Sequence, residues 1–499
     1  MMDRGVLIGV DLGTTNLKAA AFDMVDGATL GGASRRLPVR IEADGTREQD
    51  CNALGQALAD VFADLRTTLG ARWKAVAALG LAAQGGSGAI VDGATGVPRT
   101  PMYLWNDSRA SVCQADVASA KSEEYWERLS QRKGPGTGLA RMRWIRGECP
   151  ELFDGGNMYV GAGELAYFLM TGEWRQDACN ALQMGCYNVL EDRLDAEPLE
   201  VAGVDLSFVA PLREGDRIHP LGPAGAKLLG LPQGLPVAGP YMDHEAGYLS
   251  ARGVCARPLQ VSLGTAWVGN FVVDSPAAGH SPVQLVIGSP TGAGSLVIQP
   301  LLTGNVSQDW GLENLLGGDL KGAFARADEI LGETLLPPEG LVCLPWLNVP
   351  NPLASGTLGG GAFLGMNAHT STDDLFRALV LGMCCEFHRV FENVASHSLV
   401  DGVILGGGSS KAGFFRTLLA ALFAPLSVYP LEDEDLAGAR GTLTTFSALV
   451  ATATPKEPET PDQATIDSVR AHYTRYVDLF SRLYGHSPAA GSYVLAPQI

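Results

Sequence analysis

The chain has 499 residues, too many for one ordinary hydrophobic core, so two domains of about 200–250 residues each are expected. Its composition, 46% hydrophobic and 18% charged, is that of a globular protein, and 36 Lys and Arg against 54 Asp and Glu give a formal charge of −18. A field of that sign repels polyanions, which excludes nucleic acid and anionic membranes as expected partners but not a nucleotide held through Mg²⁺ and backbone N–H groups.

The nine cysteines are scattered and form no C-x-x-C pair, the usage of small core residues in a reducing compartment. The start, Met1-Met2-Asp3-Arg4-Gly5, lacks the basic region of a signal peptide, and no run of 18 clean apolar residues occurs. A soluble cytoplasmic protein is expected.

In chain order, Val6 to Asp23 carries two apolar runs around Asp11-Leu12-Gly13-Thr14-Thr15-Asn16, which predicts strand, polar loop, strand. Residues 51–70 have helical apolar spacing, 76–82 and 88–92 read as strands around a glycine-rich turn, and 160–171 again read as helix. Val261 to Asp274 then repeats the first pattern, matching Val10 to Asp23 at five of fourteen positions without a gap. The repeat implies two similar domains that each open with a hairpin, 1–252 and 253–499. Further on, 372–396 is the strongest helix pattern, opened by the capping run Ser371-Thr372-Asp373-Asp374. Ile404 to Lys411 predicts a strand and a triple-glycine turn, with a helix over 412–422, and 461–485 predicts a last helix. Strands alternating with helices predict an α/β architecture.

Several catalytic signatures are excluded. There is no Gly-Lys dipeptide for a Walker A loop and no complete G-x-G-x-x-G. His244-Glu245 has Tyr248 where a zincin needs His, and Gly86-Ser87-Gly88 is followed by Ala89, which breaks a nucleophile elbow. Glycine turns remain. The first offers the Asp11 carboxylate, two hydroxyls and free N–H groups beside Gly13, a workable cradle for a phosphate and Mg²⁺. Ser262-Leu263-Gly264-Thr265 is a second such turn, and Gly406-Gly407-Gly408-Ser409 gives a flat backbone surface for a nucleotide. Each of the first two, taken alone, is equally readable as an ordinary hairpin turn.

Six segments in register carry a resemblance over nearly the whole chain. They are Val10–Thr15, Trp105-Asn106-Asp107-Ser108-Arg109, Gly239–Gly247, Ser262–Thr265, Leu344-Pro345-Trp346 through Gly361-Ala362-Phe363-Leu364-Gly365, and Gly406–Ser409. Together they resemble the FGGY family of carbohydrate kinases, which implies two ribonuclease H-like domains of the actin–hexokinase type with a cleft between them. The resemblance implies Asp243 as general base, Asp11 positioning Mg²⁺, and Thr14, Thr15, Gly264 and Thr265 on the phosphates of ATP. Gly407, Gly408 and Ser409 would contact the nucleotide. Gln84, Gly85, Ser87, Trp105 and Asp107 would line the sugar pocket with Asp243; for Trp105, Asp107 and Arg109 a buried brace is the competing reading.

Two departures bear on the substrate. Where xylulose kinases show Gly-Gln-Met-His-Gly, this chain has Ala83-Gln84-Gly85-Gly86-Ser87-Gly88, and the arginine and glutamate of glycerol kinases are missing too. The family's Gly-Glu-Arg is replaced by Leu347-Asn348-Val349-Pro350-Asn351. The expectation is phosphorylation of a ketose such as a pentulose, with a sugar or polyol as the small-molecule partner and a homodimer compatible with the reading. An erythritol-type polyol kinase and a non-catalytic ATP-dependent regulator are the alternatives. The presence of both Asp11 and Asp243 favours catalysis over the latter.

Overall fold

The structure, a computed structural model, describes residues 5–485 except 154, 216, 265, 275–283, 302, 318–319, 348–359 and 397–398. Two compact units are present. The first contains the chain up to Gly253 together with Leu285–Leu296 and Leu436–Ala453, and the second contains Val254–Gln284, Val297–Asp435 and the chain from Thr454. The chain thus leaves the first unit beside the expected boundary, yet two later segments belong to that unit.

The predicted hairpin at the start forms β1 (Val6–Leu12) and β2 (Asn16–Asp23), paired antiparallel with Asp11 opposite Lys18. It is extended on one side by β3 (Thr29–Arg36). Helix α1 (Cys51–Leu69) starts where the Asp50 carboxylate accepts the Asn52 N–H and stops at Gly70, which takes φ +53°. Its Leu54, Leu58, Val61, Phe62 and Leu65 recur at helical spacing and share one buried core with Ile8, Val10 and Leu12 of β1. Each such side chain contributes about 1.5–3 kcal/mol when fully buried. Strand β4 (Val76–Ala83) then pairs parallel to β1, α2 (Ala162–Thr171) and α3 (Ala178–Met184) follow, and β5 (Pro236–Met242) pairs parallel to β4. Helix α4 (Asp243–Ala251) begins directly at the end of β5.

The other face of this sheet is covered by the short helix Ala437–Gly441. The approach is backbone to backbone: a Cβ on Gly9 of β1 would lie 2.0 Å from the Ala439 carbonyl oxygen.

The second unit repeats the motif. The second predicted hairpin forms β6 (Pro258–Leu263) and β7 (Trp267–Val273), and α5 (Gly304–Gly311) follows. The long predicted helix is α6 (Thr372–Ser396). At its start Ser371 Oγ accepts the Asp374 N–H at 3.2 Å while Asp374 accepts the Ser371 N–H at 3.0 Å, a reciprocal cap. Strand β8 (Gly402–Gly406) lies parallel to β6, α7 (Gly413–Phe423) follows, β9 (Val428–Pro430) lies parallel to β8, and α8 (Gln463–Tyr484) closes the described chain. The helix expected from 412 differs in one respect. A 3₁₀ turn, Gly408–Lys411, separates the glycines from α7 because Ser410 and Ala412 donate to the carbonyls of Gly407 and Ser409, three residues or fewer back. Among the described residues no helix is long and apolar enough to cross a membrane.

Candidate active site

Register places the chemistry of the first unit. Parallel pairing sets Leu12 beside Ala83 and Ala83 beside Met242, so β1, β4 and β5 end at one edge of the sheet. The residues that continue these strands are Gly13-Thr14, Gln84-Gly85 and Asp243. The carboxyl edge of parallel strands is where open α/β sheets place their ligands.

Asp11 sits one residue before the end of β1 and is half-buried. A Cβ on Gly438 would lie 2.8 Å from its Oδ2, so glycine at 438 lets the Ala437–Gly441 helix sit against the carboxylate without a side chain intervening. Among the described residues no three His, Cys, Asp or Glu side chains gather as a metal cage. A cation at Asp11 would therefore be held by at most two such side chains, with water and phosphate oxygens completing its shell, which is the habit of Mg²⁺. The residues present fit that ion.

Thr14, Gln84, Ser87 and Trp105 form one network. Thr14 Oγ1 donates to Gln84 Oε1 at 2.9 Å, Ser87 Oγ donates to the same oxygen at 3.1 Å, and Trp105 Nε1 donates to Thr14 Oγ1 at 3.3 Å. The Trp105 N–H donates to Ser87 Oγ at 3.1 Å. Gln84 is buried and its Nε2 has no partner among the described residues. Thr15 is exposed at the turn, where its carbonyl accepts the Leu37 N–H at 2.7 Å. Thr14 and Thr15, expected together on phosphate, thus differ: Thr14 is tied to the Gln84 turn and Thr15 is open.

The Gly85-Gly86 turn is held from behind. Arg141 donates to the Gly86 carbonyl at 2.7 Å and to the Leu104 carbonyl at 2.9 Å. The Gly86 N–H donates to Asn180 Oδ1 at 3.1 Å, and Asn180 Nδ2 donates to Glu164 Oε1 at 2.9 Å. Gly86 has φ +74°, a conformation L side chains rarely adopt. Asp107 is spent elsewhere. Arg109 and the Arg47 N–H both bond its carboxylate, and Arg109 also reaches Glu48 at 2.8 Å. Burial alone would raise the Asp107 carboxyl, but the Arg109 and Arg47 contacts hold it below the usual range. This geometry is that of a brace, while Trp105, 45% exposed, stands in reach of the turn.

Asp243, the first residue of α4, is half-buried, and its Oδ1 accepts the His244 N–H at 2.8 Å. The adjacent Glu245 is buried, pairs with Arg213 and accepts the Met242 N–H at 3.2 Å, so the structural load at this helix start falls on Glu245.

Two carboxyls lie buried behind the turn. Burial pushes Glu164 up to about 8, with Asp177 adding to the effect, and burial pushes Asp177 up to about 7, with Glu245 adding. Both hold protons in the folded chain that the unfolded chain gives up, so stability falls as pH rises through the window from about 4 to about 8. The urea midpoint is expected to drop between pH 5 and pH 8, and Glu164→Gln is expected to flatten that drop; an unchanged slope in the variant would contradict it.

In the second unit, Ser262 pairs with Gly406, which sets the Gly264 turn beside Gly407. Gly407 has φ +85°, and a Cβ there would lie 2.7 Å from the Leu263 nitrogen. A Cβ on Gly408 would meet nothing within 4 Å, so that glycine presents open backbone. Ser409 Oγ donates to Asn305 Oδ1 at 2.9 Å and Gln308 Oε1 at 3.3 Å, both on α5. Thr265 and most of the Leu347–Asn351 segment lie outside the described residues.

The sequence reading missed Glu164, Asn180, Gln183, Asn305 and Gln308. Glu164 alone carried a signal, an acid within an otherwise apolar helix. The remaining four are polar residues that only tertiary contacts bring to the turns.

Residues 6–250 match the FGGY family of carbohydrate kinases, N-terminal domain. The chain is 24% identical over 471 residues to an erythritol kinase of Brucella abortus, covering 88% of this chain and 87% of that protein. It is 22% identical over 451 residues to a gluconokinase of Bacillus licheniformis, at 86% and 85% coverage. In fold it is similar to the crystal structure of xylulose kinase from Rhodospirillum rubrum, with a TM-score of 0.83 at 21% identity over 96% of this chain and 98% of that one. Residues 6–250 thus belong to the FGGY family of carbohydrate kinases as its N-terminal domain, and the chain shares the α/β fold of that solved structure along its length.

Proposed function

We propose that the chain transfers the γ-phosphoryl group of ATP to a hydroxyl of a ketose such as a pentulose. One observation supports the reading: Asp11, the Gln84–Ser87 turn and Asp243 stand at the same ends of three adjacent strands of one sheet. Asp243 acts as general base on the attacking hydroxyl, the step a phosphoryl transfer requires of the protein. Asp11 would hold Mg²⁺, which supplies charge neutralisation to the phosphates. Thr15 and Thr265 take phosphate through their hydroxyls and Gly264 through its backbone, and Gly407, Gly408 and Ser409 take the nucleoside. Gln84, Gly85, Ser87 and Trp105 line the sugar pocket, and Asp107 braces it. The first domain, 1–252, carries the sugar and the second, 253–499, the nucleotide, in a cytoplasmic enzyme.

The polyol alternative rests on the small Gly85-Gly86 pair and on the erythritol kinase similarity. ADP release measured against pentuloses, erythritol, gluconate and glycerol separates the readings. A pentulose is expected to give the highest kcat/KM. Erythritol ranking first would overturn the ketose assignment, and nucleotide binding without ADP release on any sugar would identify a non-catalytic protein.

A further inference from the structure

The glycine turn lacks side chains, yet the space they would fill is taken. A Cβ on Gly85 would lie 2.4 Å from Gln183 Nε2, and one on Gly86 would lie 2.3 Å from Gln183 Oε1. The carboxamide of Gln183 on α3 therefore stands over both glycines. Met242, which immediately precedes Asp243, lies 3.5 Å from the same point at Gly85, and the Trp105 Cβ lies 3.3 Å from the point at Gly86. Gln183 is half-buried, and among the described residues its amide makes a single hydrogen bond, a long one of 3.7 Å to Cys179 Sγ. The amide keeps an N–H donor and its carbonyl acceptor in hand.

We infer that Gln183 is a specificity-determining residue of the carbohydrate pocket, reading the two neighbouring oxygens that lie two and three carbons beyond the carbon whose hydroxyl is phosphorylated. The inference rests on the kinase reading above. Two adjacent hydroxyls each donate and accept, which matches a group carrying both capacities, whereas a carboxylate only accepts and leaves Oε1 unmatched. The ligand class is thus a polyhydroxylated carbohydrate longer than glycerol, whose chain ends before the second of these positions. Small residues at 85 and 86 leave room for the amide, so contact with the sugar passes from the turn to α3.

The test is a double-mutant cycle. The nearest atom to a Cβ at position 85 is the far end of the flexible Gln183 side chain, so Gly85→Ala displaces the amide without disturbing backbone. Gln183→Ala, Gly85→Ala and the double variant are compared with the parent on a ketopentose, erythritol, gluconate and glycerol. ADP release gives kcat and KM, and calorimetry gives sugar affinity. Gln183→Ala is expected to weaken the ketopentose and erythritol by about 10–100-fold, through KM with kcat nearly unchanged, while glycerol changes by less than about threefold. Gly85→Ala should reproduce this selectivity, and the double variant should be no worse than either single change. An equal loss on all four sugars, or no loss, overturns the role. ADP release on no sugar overturns the kinase reading, and calorimetric selectivity then decides Gln183 by itself. Binding of none of the four to the parent protein overturns both.

Discussion

Asp243→Asn is expected to lower kcat for sugar-dependent ADP release by about 10²–10⁴-fold, with the affinity for ATP and the melting temperature nearly unchanged. Asn has the shape of Asp and still accepts the His244 N–H, which is the one hydrogen bond the described residues give the Asp243 carboxylate. It cannot accept a proton from a substrate hydroxyl, so the loss falls on the chemical step. The neighbouring acid provides the contrast. Glu245 pairs with Arg213, whose guanidinium lies 4.3 Å from the centre of the Tyr241 ring, and Glu245→Gln should weaken folding before it weakens catalysis. Steady-state kinetics beside thermal melts separates the two outcomes. Undiminished turnover in Asp243→Asn would remove that residue from the mechanism.

Glu386→Ala is expected to destabilise the second unit by about 3–5 kcal/mol. Glu386 on α6 is fully buried and gathers three partners: Arg389 at 2.7 Å, the Tyr476 hydroxyl at 2.7 Å and Trp346 Nε1 at 3.2 Å. Arg389 itself is buried and lies 3.8 Å from the centre of the Phe480 ring. Removing the carboxylate leaves a guanidinium in a site that water does not reach, which costs more than the pair's own attraction contributes. Glu386→Gln keeps two of the hydrogen bonds and should fall between. Urea unfolding measures the difference, and a shift below about 1 kcal/mol would show that the site relaxes around the loss.

Local pattern made much of the fold legible. Alternating apolar residues around Asp11–Asn16 and Leu263–Ala266 gave both hairpins, and the Ser371–Asp374 cap located the start of α6 to the residue. The glycine turn after β8 was readable because Gly407 needs a positive φ and a close approach to Leu263. Contacts between distant segments were not readable. Gln183 carries no spacing signal, because its place over Gly85 depends on how α3 packs. For Asp107 a brace with Arg109 was one of two readings open in the sequence, while the bond it accepts from the Arg47 N–H is a matter of three-dimensional geometry. The return of Leu436–Ala453 to the first unit was equally hidden, since it is written in small residues such as Gly438 and Gly441, whose meaning is the backbone they touch.

That late return constrains how the protein is made. The sheet strand that carries Asp11 leaves the ribosome well before the helix that roofs it, Ala437–Gly441, is translated. Over that interval the apolar surface around Leu7, Ala20, Phe22 and Ala78 waits for Leu443 and Val450 to cover it. A nascent chain in that state exposes aggregation-prone surface, and a premature stop codon before residue 436 would leave the same surface permanently bare.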